Sequence, residues 1–180
     1  MVNEQKKVVR KKIKQLKKQY SLEEKKAKSK IIFEQIEQLN QFQQAHTIMA
    51  YWSMDDEVFT HDFVLTWYQR KTIILPSVKG DELELRVFKG LDDMAEGAAF
   101  GIKEPKTLYK GALDKIDLII VPGVAFDKQN NRLGRGKAYY DKLLQTTQAL
   151  KVGVCFDFQW LDTVPADQHD IKMDLVISDL

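Results

Sequence analysis

The segment with the clearest chemical character is residues 121–141, which read VPGVAFDKQNNRLGRGKAYYD. Gly134 and Gly136 would let its backbone approach a ligand closely, because glycine has no Cβ. The carboxylate of Asp141 could hold Mg²⁺ against a bound phosphate. The cations that could neutralise such a phosphate are Arg132, Arg135 and Lys137. Guanidinium groups grip phosphate oxygens in pairs, so these residue types indicate a phosphate site.

The elements around this segment would aim it at a ligand. An apolar strand is predicted over residues 117–121 and stops at Pro122. A helix is predicted to begin near Gly136 and to carry the apolar side chains of Tyr140 and Leu144. The N-terminus of a helix offers unpaired N–H groups and partial positive charge, which suit a phosphate.

General nucleotide-binding motifs do not describe the segment. Asn131 occupies the position where a Walker A loop needs its first glycine, and Ala138 replaces the serine or threonine. The dinucleotide fingerprint fails as well, because Tyr139 stands in place of its third glycine. From these rules alone, the segment is either a phosphate loop or a glycine-rich surface turn with ordinary basic residues.

The run P-G-x-x-F-D, a turn, and then R-L-G-R-G-K-x-Y-Y-D resembles the signature of the 5-formyltetrahydrofolate cyclo-ligases, also called methenyltetrahydrofolate synthetases. The match covers about twenty residues and is specific. Supporting matches along the chain are K-x-x-x-R from Lys6 to Arg10, S-x-x-x-E from Ser53 to Glu57, an I-P-x-P-like turn at 101–105, and Asp170 shortly before the last strand.

The resemblance implies an ATP- and Mg²⁺-dependent ligase acting on a small folate, with or without a polyglutamate tail. Such an enzyme converts 5-formyltetrahydrofolate and ATP into 5,10-methenyltetrahydrofolate, ADP and phosphate. The formyl oxygen is phosphorylated, and N10 of the folate then closes the ring. The alternative is another ATP-dependent enzyme that uses the same phosphate loop with a different acceptor.

The resemblance also assigns roles by position. The residues implied in ATP binding are Lys6, Arg10, Arg132, Leu133, Gly134, Arg135, Gly136, Lys137, Ala138, Tyr139 and Tyr140. Of these, Arg135 and Lys137 are the candidate catalytic residues, because they would stabilise charge in the transition state. Trp52, Glu57 and Tyr139 would contact the folate, and Asp141 and Asp170 would hold Mg²⁺. Phe100 is a further folate candidate, which could stack on an aromatic ring of the substrate or could anchor its own loop.

Two positions depart from the family pattern. The family usually has glycine where this chain has Ala138, and many members have arginine where it has Ser77. Alanine is strained at positive φ, so Ala138 predicts a negative φ within the first turn of the helix that begins near Gly136. On that interpretation, glycine at 138 would lower the stability.

Short apolar strands alternate with helices along the chain, which predicts an α/β fold. We expect one domain over residues 1–180, a three-layer sandwich of a mostly parallel sheet with helices on both faces. The predicted helices are 4–20, one capped by Ser21 and Glu24, one from Thr60 to about 68, and one from about 136. The predicted strands are 46–52, 72–75 (ended by Pro76), 83–88, 117–121, 151–155 and 174–178, with an irregular loop at 89–113.

Charge is unevenly distributed, although the net charge is only +2. Residues 1–30 carry a net charge of +9, and the remaining residues carry −7. The basic segment is a nucleic-acid arm, a solvated helix face, or a source of cations for an anionic ligand. Its single aromatic residue, Tyr20, argues against nucleic acid, which binds aromatic residues interleaved with basic ones.

Composition argues for an ordinary cytoplasmic protein without a membrane partner, and we expect a monomer, although no residue pattern reveals the oligomeric state. No apolar run approaches the length of a membrane-spanning helix, and the N-terminus has no signal-peptide core. Cys155 is the only cysteine, and we expect a buried, unreactive thiol. The three histidines are too scattered for a metal site, and we expect His61 to be an exposed helix residue.

Overall fold

A computed structural model of the protein describes residues 1–97 and 101–180. Its helices are α1 (Val2–Lys17), α2 (Leu22–Glu37), α3 (Asn40–Gln44), α4 (His61–Trp67) and α5 (Tyr139–Leu144). Its strands are β1 (Thr47–Met49), β2 (Thr72–Lys79), β3 (Glu82–Val87), β4 (Met94–Glu96), β5 (Lys103–Pro105), β6 (Leu118–Val121), β7 (Ala125–Asp127), β8 (Arg132–Leu133), β9 (Leu150–Cys155), β10 (Trp160–Leu161) and β11 (Leu175–Ser178). Within these residues, no helix is both long and apolar enough to cross a lipid bilayer.

The centre of the fold is a six-stranded sheet in the order β11-β9-β6-β1-β2-β3. All neighbouring strands are parallel except β2 and β3, which form an antiparallel pair. Side chains alternate between the two faces of a strand, so Ile48 and Met49 enter different hydrophobic clusters. Helices α2, α3 and α4 cover the Ile48 face, and α5 covers the Met49 face. This arrangement confirms the predicted α/β class with helices on both faces.

A second, three-stranded sheet in the order β10-β7-β8 lies beside the central one. Phe126 of β7 is fully buried against the Met49 face of the central sheet. On its other side, Ala125 and Leu133 pack with Ile13 of α1 and with Val164. The basic N-terminal helix is therefore docked on the strand that opens the glycine-rich segment, with Ile13 completely buried.

Several predicted boundaries were wrong, for physical reasons. Strand β2 does not end at Pro76 but continues to Lys79. Beyond Ile74, β2 pairs only with β3, so the missing N–H of proline breaks no bond to β1. The predicted irregular loop at 89–113 contains the antiparallel hairpin β4–β5, whose three-residue strands are too short to show a period.

The predicted starts of α2 and α4 are both confirmed, but only α2 has a side-chain cap. Ser21 and Glu24 form the reciprocal capping box of α2. Thr60 precedes α4 but makes no side-chain cap. Its hydroxyl instead donates to the carbonyl of Tyr51 and accepts from the N–H of Ser53. Thr60 thus closes the loop that follows β1.

The helix after the glycines begins later than predicted. Helix α5 starts at Tyr139, and Ala138 precedes it with φ 58° and ψ 17°. The predicted negative φ at Ala138 is therefore wrong. A left-handed residue at the helix entry redirects the chain between Gly136, which has φ 107°, and the helix. Sequence periodicity carries no information on such a turn, because it reports which side chains are apolar and not backbone handedness.

This backbone geometry reverses the expected effect of glycine at position 138. Ala138→Gly should raise the free energy of unfolding by about 0.5–1 kcal/mol, because relief of left-handed strain exceeds the entropy that glycine adds to the unfolded chain. Urea-induced unfolding measures the change. Asn130→Gly is the matched control, since Asn130 also has positive φ, 63°, but asparagine tolerates it better and should gain less. A less stable Ala138→Gly variant would contradict the left-handed conformation.

Candidate active site

A cavity of about 860 Å³ opens where the central strands β1 and β6 end. Ligand sites of open α/β sheets lie at the carboxyl ends of the strands, and this cavity follows that rule. The chain segments after those strands supply Tyr51 and Trp52 from one side and Pro122 and Gly123 from the other. Helix α1 and strands β2 and β3 contribute further wall residues.

The cavity brings together every described residue for which the sequence predicted a role in binding. Its lining includes Lys6, Arg10, Trp52, Glu57, Arg132, Leu133, Gly134, Arg135, Gly136, Lys137, Ala138, Tyr139, Tyr140, Asp141 and Asp170. Phe100 lies outside the described residues. Ser77, the other departure from the family pattern, is buried in β2 and is not part of the lining, although its neighbours Pro76 and Val78 are.

Two arginines fix the shape of the glycine-rich wall. The Nε of Arg10 donates to the carbonyl of Gly134 over 2.9 Å, which ties α1 to the loop. The Nε of Arg132 donates to the carbonyl of Pro122 over 2.7 Å, and its guanidinium lies 3.9 Å from Asp141. Burial lowers the pKa of Arg132, and the Asp141 carboxylate opposes that shift. Both guanidiniums are therefore anchored by the protein itself.

The two candidate catalytic cations differ in their partners. Arg135 is half-exposed and donates to the Asp56 carboxylate over 3.2 Å, with Glu57 at 3.8 Å. Lys137 is exposed and forms no ion pair within the described chain. The backbone around Lys137 also alternates in hand, with positive φ at Gly136 and at Ala138 on either side. Such alternation turns successive N–H groups into a concavity that suits an anion.

Acidic side chains line the far end of α1. Lys6 is buried and donates to Asp167 over 2.8 Å and to Asp170 over 2.6 Å. Burial alone would lower the pKa of Lys6, but these two carboxylates outweigh it and raise the pKa. Asp141 accepts a hydrogen bond from the N–H of Ile171 through one oxygen.

Whether these carboxylates could hold Mg²⁺ depends on the oxygens that they leave free. Asp141 and Asp170 each use one oxygen, and in the described part of the chain their second oxygens accept no hydrogen bond from protein. No group of three or more acidic, histidine or cysteine side chains suited to a metal occurs among residues 1–97 and 101–180. Mg²⁺ commonly needs only one or two carboxylates when phosphates and water complete its shell, so the donor set fits.

The opposite wall is aromatic and acidic. The Trp52 ring is stacked on the His61 ring with centroids 3.6 Å apart and also packs on Phe88. Glu57 is largely buried and accepts a hydrogen bond from the N–H of Met54 over 2.9 Å. Burial raises the pKa of Glu57, opposed by that hydrogen bond and by the charge of Arg135. A flat ring system with N–H donors would suit such a wall.

His61 lies in helix α4 as predicted, but the prediction that it is exposed was wrong. It is half-buried between Trp52 and Phe59, and its Nε2 lies 2.9 Å from the carbonyl oxygen of Ser53. Burial lowers its pKa. The sequence did not predict this burial, because the loop that packs on His61 reaches it only in the tertiary structure.

Two charged residues of the site, Lys17 and its ion-pair partner Asp56, were not predicted from the sequence. Lys17 lines the cavity, and its side chain is only 9% exposed. A signal for it was present, because Lys6, Arg10, Ile13 and Lys17 follow each other at spacings of four, three and four. Residues at these spacings share one helix face, so three cations lie along the same buried stripe.

Asp127 anchors the small sheet beneath the arginines. It is completely buried and accepts hydrogen bonds from the backbone N–H groups of Gln129, Asn131 and Val164 and from the side chain of Asn131. Burial alone would raise the pKa of Asp127, but these hydrogen bonds outweigh it and hold the pKa below its usual value. The hairpin that presents Arg132 is thus held in place by one carboxylate.

Comparison with known proteins gives a consistent result. The sequence matches the 5-formyltetrahydrofolate cyclo-ligase family over residues 2–179. A 5-formyltetrahydrofolate cyclo-ligase from Mus musculus is 30% identical over 194 residues, with 98% of this chain and 94% of the mouse protein covered. One from Haemophilus influenzae is 34% identical over 140 residues, with 72% of this chain and 74% of that protein covered.

Solved structures agree with the sequence relatives. The NMR structure of Aquifex aeolicus 5,10-methenyltetrahydrofolate synthetase superposes with a TM-score of 0.87 at 34% identity, covering 97% of this chain and 89% of that chain. A 5,10-methenyltetrahydrofolate synthetase from Mycoplasma pneumoniae gives a TM-score of 0.77 at 29% identity, covering 97% of this chain and 99% of that one.

The anchoring role of Asp127 predicts a pH-dependent loss of stability. Asp127→Asn should lower the free energy of unfolding by about 2 kcal/mol at neutral pH, because charge-assisted hydrogen bonds are lost. A depressed pKa stabilises the fold above the unfolded-state value and loses that contribution as the pH falls through the folded-state value. The difference between parent and variant should therefore shrink in acid.

Chemical denaturation at neutral and acidic pH measures both effects. The matched control is Asp162→Asn. The Asp162 side chain is 99% exposed, and its one ion pair, with Lys128 at 3.8 Å, contributes little to stability because it lies on the surface. Equal stability of Asp127→Asn and the parent at neutral pH would refute the anchoring role.

Proposed function

This chain belongs to the 5-formyltetrahydrofolate cyclo-ligase family, and on that premise we propose that it uses ATP and Mg²⁺ to convert 5-formyltetrahydrofolate into 5,10-methenyltetrahydrofolate. One observation carries the proposal beyond the family relationship. A glycine-rich, cationic wall and an aromatic, acidic wall line the same cavity and meet where Arg135 lies 3.8 Å from Glu57. The first suits nucleotide phosphates, and the second suits a pterin.

The chemistry explains why both walls are needed. The formyl oxygen attacks the γ-phosphorus, and ADP leaves. N10 then attacks the formyl carbon and loses its proton, and the carbon–oxygen bond breaks as inorganic phosphate departs with the former formyl oxygen. An amide oxygen is a poor leaving group until it is phosphorylated. Because phosphoryl transfer depends mainly on positioning and charge stabilisation, the protein must hold two ligands in contact.

The cations of the first wall divide into anchored and accessible groups. Arg10 and Arg132 are bonded to backbone carbonyls, so they would present their remaining N–H groups to the phosphates in fixed positions. Lys137 is exposed and would reach the phosphates freely. Arg135 would stay in contact with the phosphoryl group as it moves from ATP to the formyl oxygen, because Arg135 already lies where the two walls meet. The catalytic roles of Arg135 and Lys137 rest on this division.

Mg²⁺ would be held by Asp141 and Asp170 through the carboxylate oxygens that protein hydrogen bonds leave free. When bound, the ion neutralises charge on the phosphates as the phosphoryl group is transferred. Asp170 is also bonded to Lys6, so Lys6 would orient this carboxylate and approach the nucleotide at the same time.

The folate would lie against Trp52, with the Glu57 carboxylate accepting N–H groups of the pterin. Tyr139 lines the same cavity and would contact both ligands. Apolar wall residues not foreseen from the sequence, Met54 and Leu83, would cover the aromatic part of the substrate. A polyglutamate tail, a monomeric state and a cytoplasmic location stay predictions.

The direct test is formation of the methenyl product. Purified protein with ATP, Mg²⁺ and 5-formyltetrahydrofolate should produce 5,10-methenyltetrahydrofolate and ADP in equal amounts, followed by the near-ultraviolet absorbance that only the methenyl product has. Omission of Mg²⁺ should abolish the reaction. ATP turnover without this absorbance would refute the proposal and would indicate a different acceptor.

Substitution of Lys137 separates catalysis from stability. Lys137→Ala should lower kcat by roughly a hundredfold, about 3 kcal/mol of transition-state stabilisation. Its melting temperature should not change, because the side chain is exposed and makes no ion pair within the described chain. Arg135→Ala should lose activity to a similar degree.

Lys128→Ala is the control for general charge effects, since Lys128 lies in the same segment and is exposed but does not line the cavity. It should keep the parental kcat. Near-normal turnover of Lys137→Ala would remove this residue from the mechanism.

A further inference from the structure

Four charged side chains meet where the two walls of the cavity join. The Nζ of Lys17 lies 3.5 Å from the Asp56 carboxylate, and Arg135 binds the other oxygen of the same carboxylate at 3.2 Å. Glu57 lies 3.8 Å from Arg135. Two cations therefore balance two carboxylates, and the residues come from α1, from the turn after β1 and from the glycine-rich segment.

The two cations of this cluster differ in their freedom to move. The Lys17 side chain is 9% exposed and projects from a helix that is docked through Ile13. The Arg135 side chain is 45% exposed and projects from a loop. Only Arg135 can turn away from Asp56 without unpacking the fold.

We infer that Lys17 is a positioning residue, the counter-ion that stays with Asp56 and Glu57 when Arg135 turns to the phosphates of ATP. The inference rests on the proposed function, because that function gives Arg135 its second partner. Lys17 acts through Asp56 and Glu57 and needs no contact with the reacting atoms.

The electrostatic reason is the cost of leaving two carboxylates side by side. Without Lys17, departure of Arg135 would leave Asp56 and Glu57 with no cation in the cluster, and like charges favour protonation of one of them. Glu57 is the one that would take the proton, since burial already raises its pKa. A protonated Glu57 loses acceptor capacity for the N–H groups of a pterin. Lys17 thus lets the two ligands bind together.

The experiment measures how an ATP analogue changes the affinity for folate. Calorimetric titration with 5-formyltetrahydrofolate is performed with and without a non-hydrolysable ATP analogue and Mg²⁺. In the parent, the analogue should not weaken folate binding. In Lys17→Met, the analogue should weaken folate binding at least about fivefold, which is the lower range of coupling between two sites. Lys17→Arg should restore the parental ratio.

Lys28→Met is the matched structural control. Lys28 is also a largely buried lysine between two carboxylates, Asp157 at 3.0 Å and Asp179 at 2.9 Å, but it does not line the cavity. Its removal should lower the melting temperature and leave the ratio of folate affinities unchanged. A role of Lys17 in stability alone would make the two lysine variants behave alike.

A double variant keeps the test decisive if Lys17→Met folds poorly. Lys17→Met combined with Asp56→Asn removes one charge of each sign, so the analogue should weaken folate binding less than twofold in this protein. An unchanged ratio in Lys17→Met, or a fivefold loss in the double variant, would overturn the inference. A parent protein that binds folate but makes no methenyl product would instead overturn the proposed function, whatever the lysine variants show.

Discussion

The burial of Ile13 against Ala125 and Leu133 is the contact on which the candidate site depends. Helix α1 is otherwise rich in lysine, and a highly charged helix would not stay on the surface of a domain without an apolar contact. Complete burial of an isoleucine side chain contributes about 1.5–3 kcal/mol. That contact places one cation toward each end of the cavity, Lys6 beside the acidic loop and Lys17 beside Asp56, with Arg10 bonded to Gly134 between them. A basic segment that resembles a solvated arm in composition therefore forms a wall of the pocket.

A second constraint is that most cations in the cavity already have a protein partner. Lys6 is held by Asp167 and Asp170, Arg132 lies near Asp141, and Arg135 is bonded to Asp56. Such pairing keeps long side chains ordered before any ligand arrives, which lowers the entropy lost on binding. It also means that a polyphosphate has to compete with carboxylates for the same donors. A polyphosphate would therefore replace the carboxylate partner of the half-exposed Arg135 more readily than the partners of the buried lysines.

Features that are encoded within a few consecutive residues were predictable from the sequence, whereas features that depend on residues far apart in the chain were not. Strand β6 is a continuous apolar run, β9 is a short, mostly apolar run, and the Ser21–Glu24 capping box is encoded within four residues, so all three were found in the sequence. The glycine-rich segment was recognisable because its whole motif is contiguous. Strands β8 and β10 have two residues each, and both are formed by pairing with β7. Two residues are too few to show a hydrophobic period, so the sequence could not predict these strands. Lys17 was missed because its chemical role is defined by Asp56, which lies 39 residues further along the chain.

The left-handed conformation of Ala138 connects the backbone of the phosphate segment with its sequence. Positive φ at Gly136 and at Ala138, with Lys137 between them, bends the chain twice within three residues and delays α5 until Tyr139. Glycine adopts this conformation without strain, so it would fit the backbone at position 138 better than the alanine of this chain does. Alanine keeps the same path at a cost of about 1–2 kcal/mol, and the surrounding contacts must sustain that strain. Arg10 provides one of them, since its guanidinium packs over Gly136 while its Nε binds Gly134. The docked N-terminal helix thus supports a strained loop as well as contributing charges to it.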